Sequence, residues 1–73
     1  MRLNPLRIFL AIVDTGSQRA ASRVLGLTQP AVTKALQRLE AELDVRLFER
    51  SVHGAVLTEY GQALLAHARL IDA

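Results

Sequence analysis

Leu6, Phe9, Leu10 and Val13 recur at i, i+3, i+4 and i+7, the spacing of one helical face. Asn4 ahead of Pro5 supplies a helix cap and a first-turn proline. "DTGS" supplies the stop, with Gly16 free to take the positive φ that closes a helix. Ser17 then caps a short second helix, "QRAASRVL", in which Ala21, Val24 and Leu25 share a face and Gly26 marks the end. Only Leu27 and Thr28 precede a third helix. There Val32, Ala35, Leu36, Leu39 and Leu43 form one apolar stripe. Thr28 is the expected N-cap, which places Pro30 in the first turn, where a backbone N–H has no helical partner to lose. Pro30, Lys34, Gln37 and Ala41 fall on the side opposite the stripe, flanked by Arg38, and that side is predicted to stay out of the core.

After Leu43 the period changes. Leu47–Arg50 and Ala55–Thr58 read as two short strands joined through Gly54, a small hairpin. Thr58 caps a last helix, whose apolar positions wrap around it. Tyr60, Leu64, Ala68 and Ile71 lie on one side, Ala63, Ala66 and Leu70 on another, and Leu65 between. A helix apolar nearly all round expects burial on more than one side, so one side needs a partner. The pattern runs to the final residue with no C-cap, an expectation of a longer parent protein.

Seventy-three residues make one small domain, able to bury only about 60% of the surface of its unfolded chain. With 51% apolar residues a globular state is expected, and the absence of cysteine excludes disulfides and thiolate metal sites. No apolar run approaches the ~20 residues of a membrane span, and the N-terminus lacks a signal-peptide core; a cytoplasmic protein with no membrane partner is the expectation. The net charge of +2 says little, but its distribution says more. Between Asp14 and Glu40 every charged residue is basic (Arg19, Arg23, Lys34 and Arg38), a possible footprint for a polyanion or simply a solvated helix face.

Two helices joined by a short glycine-containing corner describe a helix-turn-helix, here with a hairpin wing. The second helix of such a motif enters the major groove by its N-terminal end, and a helix about 10–12 Å across fits a groove about 12 Å wide. Gln29 carries an amide suited to adenine N6 and N7; Thr33 offers a hydroxyl and a methyl; Lys34 and Arg38 reach guanine or phosphate; Pro30 is a rigid apolar surface. Arg50 and His53 sit on the hairpin, where a wing would lie near the backbone or minor groove. Three other classes fit less well. Catalysis has no phosphate-cradling loop, no HExxH and no acid–histidine cluster on one face. Single-stranded nucleic acid lacks a stacking platform, since Phe9 and Phe48 are committed to the core. A winged-helix docking or dimerisation module is the stronger rival, although aromatics rather than Lys34 and Arg38 would then be expected on the third helix.

"AASRVLGLTQPAVTKALQRLEAELDVRLFER" followed by "LTEYGQALL" resembles the N-terminal domain of LysR-type transcriptional regulators, in order and over nearly the whole chain. The resemblance implies a mainly α winged helix-turn-helix over residues 1–58, followed by a linker and dimerisation helix over 59–73. Within the first part the helix-turn-helix would occupy about 18–37, the recognition helix about 29–43 and the wing about 46–58. It implies sequence-specific binding of double-stranded operator DNA by a homodimer, with tetramers in the full-length protein. It implies no cofactor in this domain and a small-molecule effector module beyond it. By resemblance Gln29, Pro30, Thr33 and Lys34 match base- and groove-facing positions and Arg50 a backbone contact; with Thr28, Gln37, Arg38 and His53 from the helix face and hairpin they make up the expected DNA-binding set. The implied dimerisation set is Tyr60, Leu64, Leu65, His67, Ala68, Leu70 and Ile71. Two positions depart from the pattern. Gln18 follows Gly-Ser where an aromatic or aliphatic residue is common, and His53 stands where an arginine is common, weakening attraction to a narrow minor groove.

Overall fold

A computed structural model describes residues 4–52 and 54–71, and of Arg50 and Ile71 the backbone only. Among the described residues the chain is mainly helical, with four helices and one antiparallel hairpin. The order is α1 (Pro5–Thr15), α2 (Gln18–Leu25), α3 (Gln29–Leu43), β1 (Phe48–Ser51), β2 (Gly54–Leu57) and α4 (Glu59–Ile71). Among the described residues no helix is long and apolar enough to cross a membrane.

The helix boundaries are set by local chemistry. Asn4 accepts from the Leu6 N–H at 3.0 Å with Pro5 in the first turn, and Gly16 closes α1 at φ 89°. Ser17 accepts from the Ala20 N–H at 3.0 Å, and Gly26 ends α2 in the left-handed region. Thr28 accepts from the Ala31 N–H at 3.3 Å, so Pro30 occupies the first turn of α3 as the sequence predicts. At the far end Asp44 adopts φ 56°, tolerated by a short polar side chain, and returns its N–H to Ala41.

α1, α2 and α3 enclose the core. Ile8, Phe9, Ile12, Val32 and Leu47 are its largest fully buried side chains, each worth about 1.5–3 kcal/mol of burial. The faces are rotated slightly from those expected. On α1 the buried positions are Ile8, Phe9 and Ile12, whereas Leu6, Leu10 and Val13 pack at the margin. α1 is apolar over so wide an arc that periodicity alone does not pick its centre. On α2, Val24 is 71% exposed and Ser22 takes the inward place, its hydroxyl donating to the Arg19 carbonyl at 2.6 Å. Leu43, at the end of the α3 stripe, is half exposed.

The hairpin runs one residue later in its first strand and one earlier in its second than the sequence suggests, with Phe48 opposite Leu57 and Ser51 opposite Gly54. The Thr58 N–H still donates to the Leu47 carbonyl at 3.0 Å, so the expected end residues frame the ladder. Three contacts hold the hairpin to the helices. The Phe48 ring lies 5.4 Å from that of Phe9. The Ala55 N–H donates to the Gly16 carbonyl at 3.2 Å. Glu40, near the end of α3, accepts from the Leu47 N–H at 2.7 Å.

Thr58 joins the hairpin to α4. Its hydroxyl donates to the Arg46 carbonyl and accepts from the Gly61 N–H. The inner side of α4 is Gly61, Leu64, Leu65 and Ala68; Ala63, Ala66, His67 and Leu70 are exposed, and Tyr60 is half exposed. Ala68 has no exposed surface, which corrects its place in the expected dimerisation set: it is covered within its own chain. Leu64 and Leu65 also lean on that core.

Gly61 is where α4 meets the hairpin. A Cβ there would stand 2.2 Å from the Leu47 carbonyl oxygen and 2.7 Å from a Leu57 methyl. Helix propensity favours alanine over glycine by about 1 kcal/mol, but overpacking against backbone costs about 1–3 kcal/mol or more. Gly61→Ala is therefore expected to lower the thermal midpoint, by several degrees in a domain of this size. A raised midpoint in a calorimetric scan would show that α4 is free to lift off the hairpin.

Candidate nucleic-acid interface

With Val32 and Leu36 buried, the opposite flank of α3 is forced outward. Thr28, Gln29, Pro30, Lys34, Gln37 and Arg38 are all exposed, and no aromatic side chain stands among them. The Thr28 oxygen accepts the capping bond to Ala31, which leaves its proton available to an outside acceptor. Gln29 stands at the first helical position, beside backbone N–H groups that have no intrahelical partner.

Thr33 differs from the rest. It is half-buried, and its hydroxyl donates to the Gln18 carboxamide oxygen at 2.5 Å, linking the start of α2 to the first turns of α3. Sequence reasoning noted Gln18 only as an unusual residue after Gly-Ser and did not place it in the site. The pair is fifteen residues apart and meets only through the packing of α2 on α3, so spacing along the chain gave no signal for it.

An open groove of about 460 Å³ separates this flank from the hairpin. Gln18, Arg19, Gln29, Thr33 and Gln37 line its helical side, and Arg46, Glu49 and Ser51 its hairpin side. Arg19 and Arg46 were not in the expected set; each is an exposed cation on the rim. Lys34 and Arg38 add two more exposed cations on the α3 flank, while Glu40 and Glu49 also line the groove. Arg50 pairs with Ala55 in the hairpin, and its side chain lies outside the described atoms. His53 lies outside the described residues altogether, as do the Ile71 side chain and residues 72–73. Among the described residues no group of three or more His, Cys, Asp or Glu could hold a metal ion.

A three-helix core with a two-stranded wing and an outward-facing third helix is a winged helix-turn-helix. Residues 3–62 match the family described as bacterial regulatory helix-turn-helix protein, lysR family, and the chain belongs to it. It is 42% identical over 71 residues to the HTH-type transcriptional regulator TcbR of Pseudomonas sp. (strain P51), spanning 97% of this chain and 24% of TcbR. The fold matches that of the CbnR DNA-binding domain in its complex with DNA, with TM-score 0.87 and 42% identity over 97% of this chain and 82% of that one. It also matches the BenM DNA-binding domain bound to benA site 1 DNA, with TM-score 0.88 and 32% identity over 97% of this chain and 80% of that one.

Glu40 ties the end of α3 to Leu47, the residue that leads into β1. Glu40→Ala would leave the Leu47 N–H without its acceptor beside a fully buried side chain, at a cost of about 1–3 kcal/mol. Glu40→Gln keeps an acceptor oxygen and should lose less than half as much. Equal losses for the two in urea titrations would show that shape at this position, rather than the hydrogen bond, holds the wing.

Proposed function

We propose that this chain is the sequence-specific double-stranded DNA-binding domain of a bacterial LysR-type transcriptional regulator. One observation carries the reading: α3 buries Val32 and Leu36 and presents Gln29, Pro30, Lys34 and Gln37 outward, in a fold shared with a domain solved on DNA. The start of α3 enters the major groove. Gln29 reads a base edge through its amide, with adenine the best match, and Pro30 packs against the groove wall. Lys34 and Arg38 reach guanine or phosphate, Thr28 and Gln37 donate at the margins, and Arg50 and His53 approach the backbone from the wing.

Two copies pair through the outer side of α4. Ala63, Ala66 and Leu70 lie diametrically opposite the inner line of Gly61, Leu64, Leu65 and Ala68, so one helix serves its own core and a second copy at once. Leu70 is 80% exposed and Tyr60 52%, apolar surface that a second helix would cover. His67 lies beside this line, and Ile71 extends it in sequence. The chain spans about a quarter of TcbR, and the parent protein is expected to carry an effector-sensing module, to act in the cytoplasm and to form dimers or tetramers. No catalytic role is proposed for these residues.

Gln29→Ala should weaken binding by about 1–3 kcal/mol and relax preference at one base pair. Lys34→Ala, where Lys34 meets a phosphate rather than guanine, should weaken all sequences alike and reduce the slope of log K against log salt by about one unit. Band shifts across a salt series and a set of selected sites separate the two signatures; unchanged binding for both variants would reject the recognition-helix assignment.

Pairing is checked separately. Leu70→Asp places a charge in the outer line of α4 without touching the inner one, and should shift sedimentation toward monomer while the thermal midpoint of the domain holds. A dimer that survives this change assembles elsewhere.

A further inference from the structure

The Gln18–Thr33 hydrogen bond joins two residues fifteen positions apart, one of which faces the proposed groove. Thr33 is the donor, so its only hydroxyl proton is already engaged by the protein. What Thr33 still offers a ligand is its methyl group and the acceptor capacity of its oxygen. Gln18 is half-buried on the groove wall, and no bond from its NH2 group to another residue is formed among the described residues.

We propose that Gln18 is a specificity-determining positioning residue: by holding the Thr33 proton it converts Thr33 from a donor or acceptor into an acceptor alone. This rests on the reading that α3 lies in the major groove. In that groove the donors on base edges are the amino groups of adenine (N6) and cytosine (N4), whereas guanine and thymine present acceptors in their place. A threonine free to rotate its hydroxyl satisfies either kind of edge. A threonine whose proton is held satisfies only the amino-bearing bases. An A·T pair suits it doubly, because the thymine methyl across the pair can meet the Thr33 methyl. Hydrophobic residues at position 18 would lack this control, since they offer the hydroxyl no acceptor.

The test is site selection from random DNA followed by sequencing, with the 73-residue chain and four variants: Gln18→Leu, Gln18→Glu, Thr33→Val, and Gln18→Leu with Thr33→Val. Wild type should favour adenine or cytosine at one base pair facing Thr33. Gln18→Leu should admit guanine and thymine there, narrowing the preference about threefold to tenfold, the worth of one hydrogen bond, with the other positions and the salt slope unchanged. Gln18→Glu keeps the acceptor and should keep the preference, at lower overall affinity because of its charge. Thr33→Val removes the hydroxyl but keeps a methyl, so it should lose the hydrogen-bonded part of the preference and retain at most the A·T bias of the methyl contact, and Gln18→Leu should add nothing on top of it. Thermal melts of all five proteins establish that the changes concern readout and not folding. A Gln18→Leu profile equal to wild type overturns the inference alone. A uniform loss of affinity with the preference intact also overturns it, and makes Gln18 a backbone contact. Failure of the wild-type chain to enrich any site would instead overturn the DNA-binding reading, and this inference with it.

Discussion

The rotation of α3 about its own axis is the constraint on which the surface depends. Val32 and Leu36 sit one turn apart and are both held in the core among Ile8, Phe9, Ile12 and Leu47. A helix pinned at two successive turns has no rotational freedom left, so Gln29, Pro30, Lys34 and Gln37 face outward whatever their own preferences. The Thr28 cap fixes where that helix begins, and the tight Gly26 corner fixes its distance from α2. Polar side chains that look unremarkable one by one thus become an ordered row, because apolar ones on the other side leave them no alternative.

The caps were the most legible part of the sequence. Asn4, Ser17, Thr28 and Thr58 each act within three residues of themselves, and such local chemistry needs no knowledge of the fold. The α3 stripe was legible for a related reason, since its polar side is as distinct as its apolar one. Where that contrast fades, reading failed. α1 is greasy over most of its circumference, so Ile8 and Ile12 were missed, and α2 is too short to average out Val24. The Thr33–Gln18 bond spans fifteen residues and depends on the angle between two helices, which no local pattern encodes. The groove rim needed the same angle, and Arg19 and Arg46 were passed over with it.

α4 turns one side to its own chain and leaves Ala63, Ala66 and Leu70 exposed on the other. Its inner line has a glycine where the hairpin comes closest, then Leu64, Leu65 and the fully covered Ala68. Its outer line is small and apolar until Leu70. The sequence alone reported only that the helix was apolar nearly all round. Allotting residues to one side or the other needs the packed structure, and Ala68, expected in the outward set, is covered.

The Gly16 carbonyl receives the Ala55 N–H, and Gly54 passes so near that a side chain there would stand 2.7 Å from the same oxygen. The wing is therefore stitched to the corner between α1 and α2 at one point and to α3 through Glu40 at another. The Phe48 ring against Phe9 and the close approach of Gly61 to Leu47 and Leu57 add to these two hydrogen bonds. The hairpin is thus joined to α1, α3 and α4 by backbone as well as side-chain contacts, and its place beside the start of α3 is set by all of them.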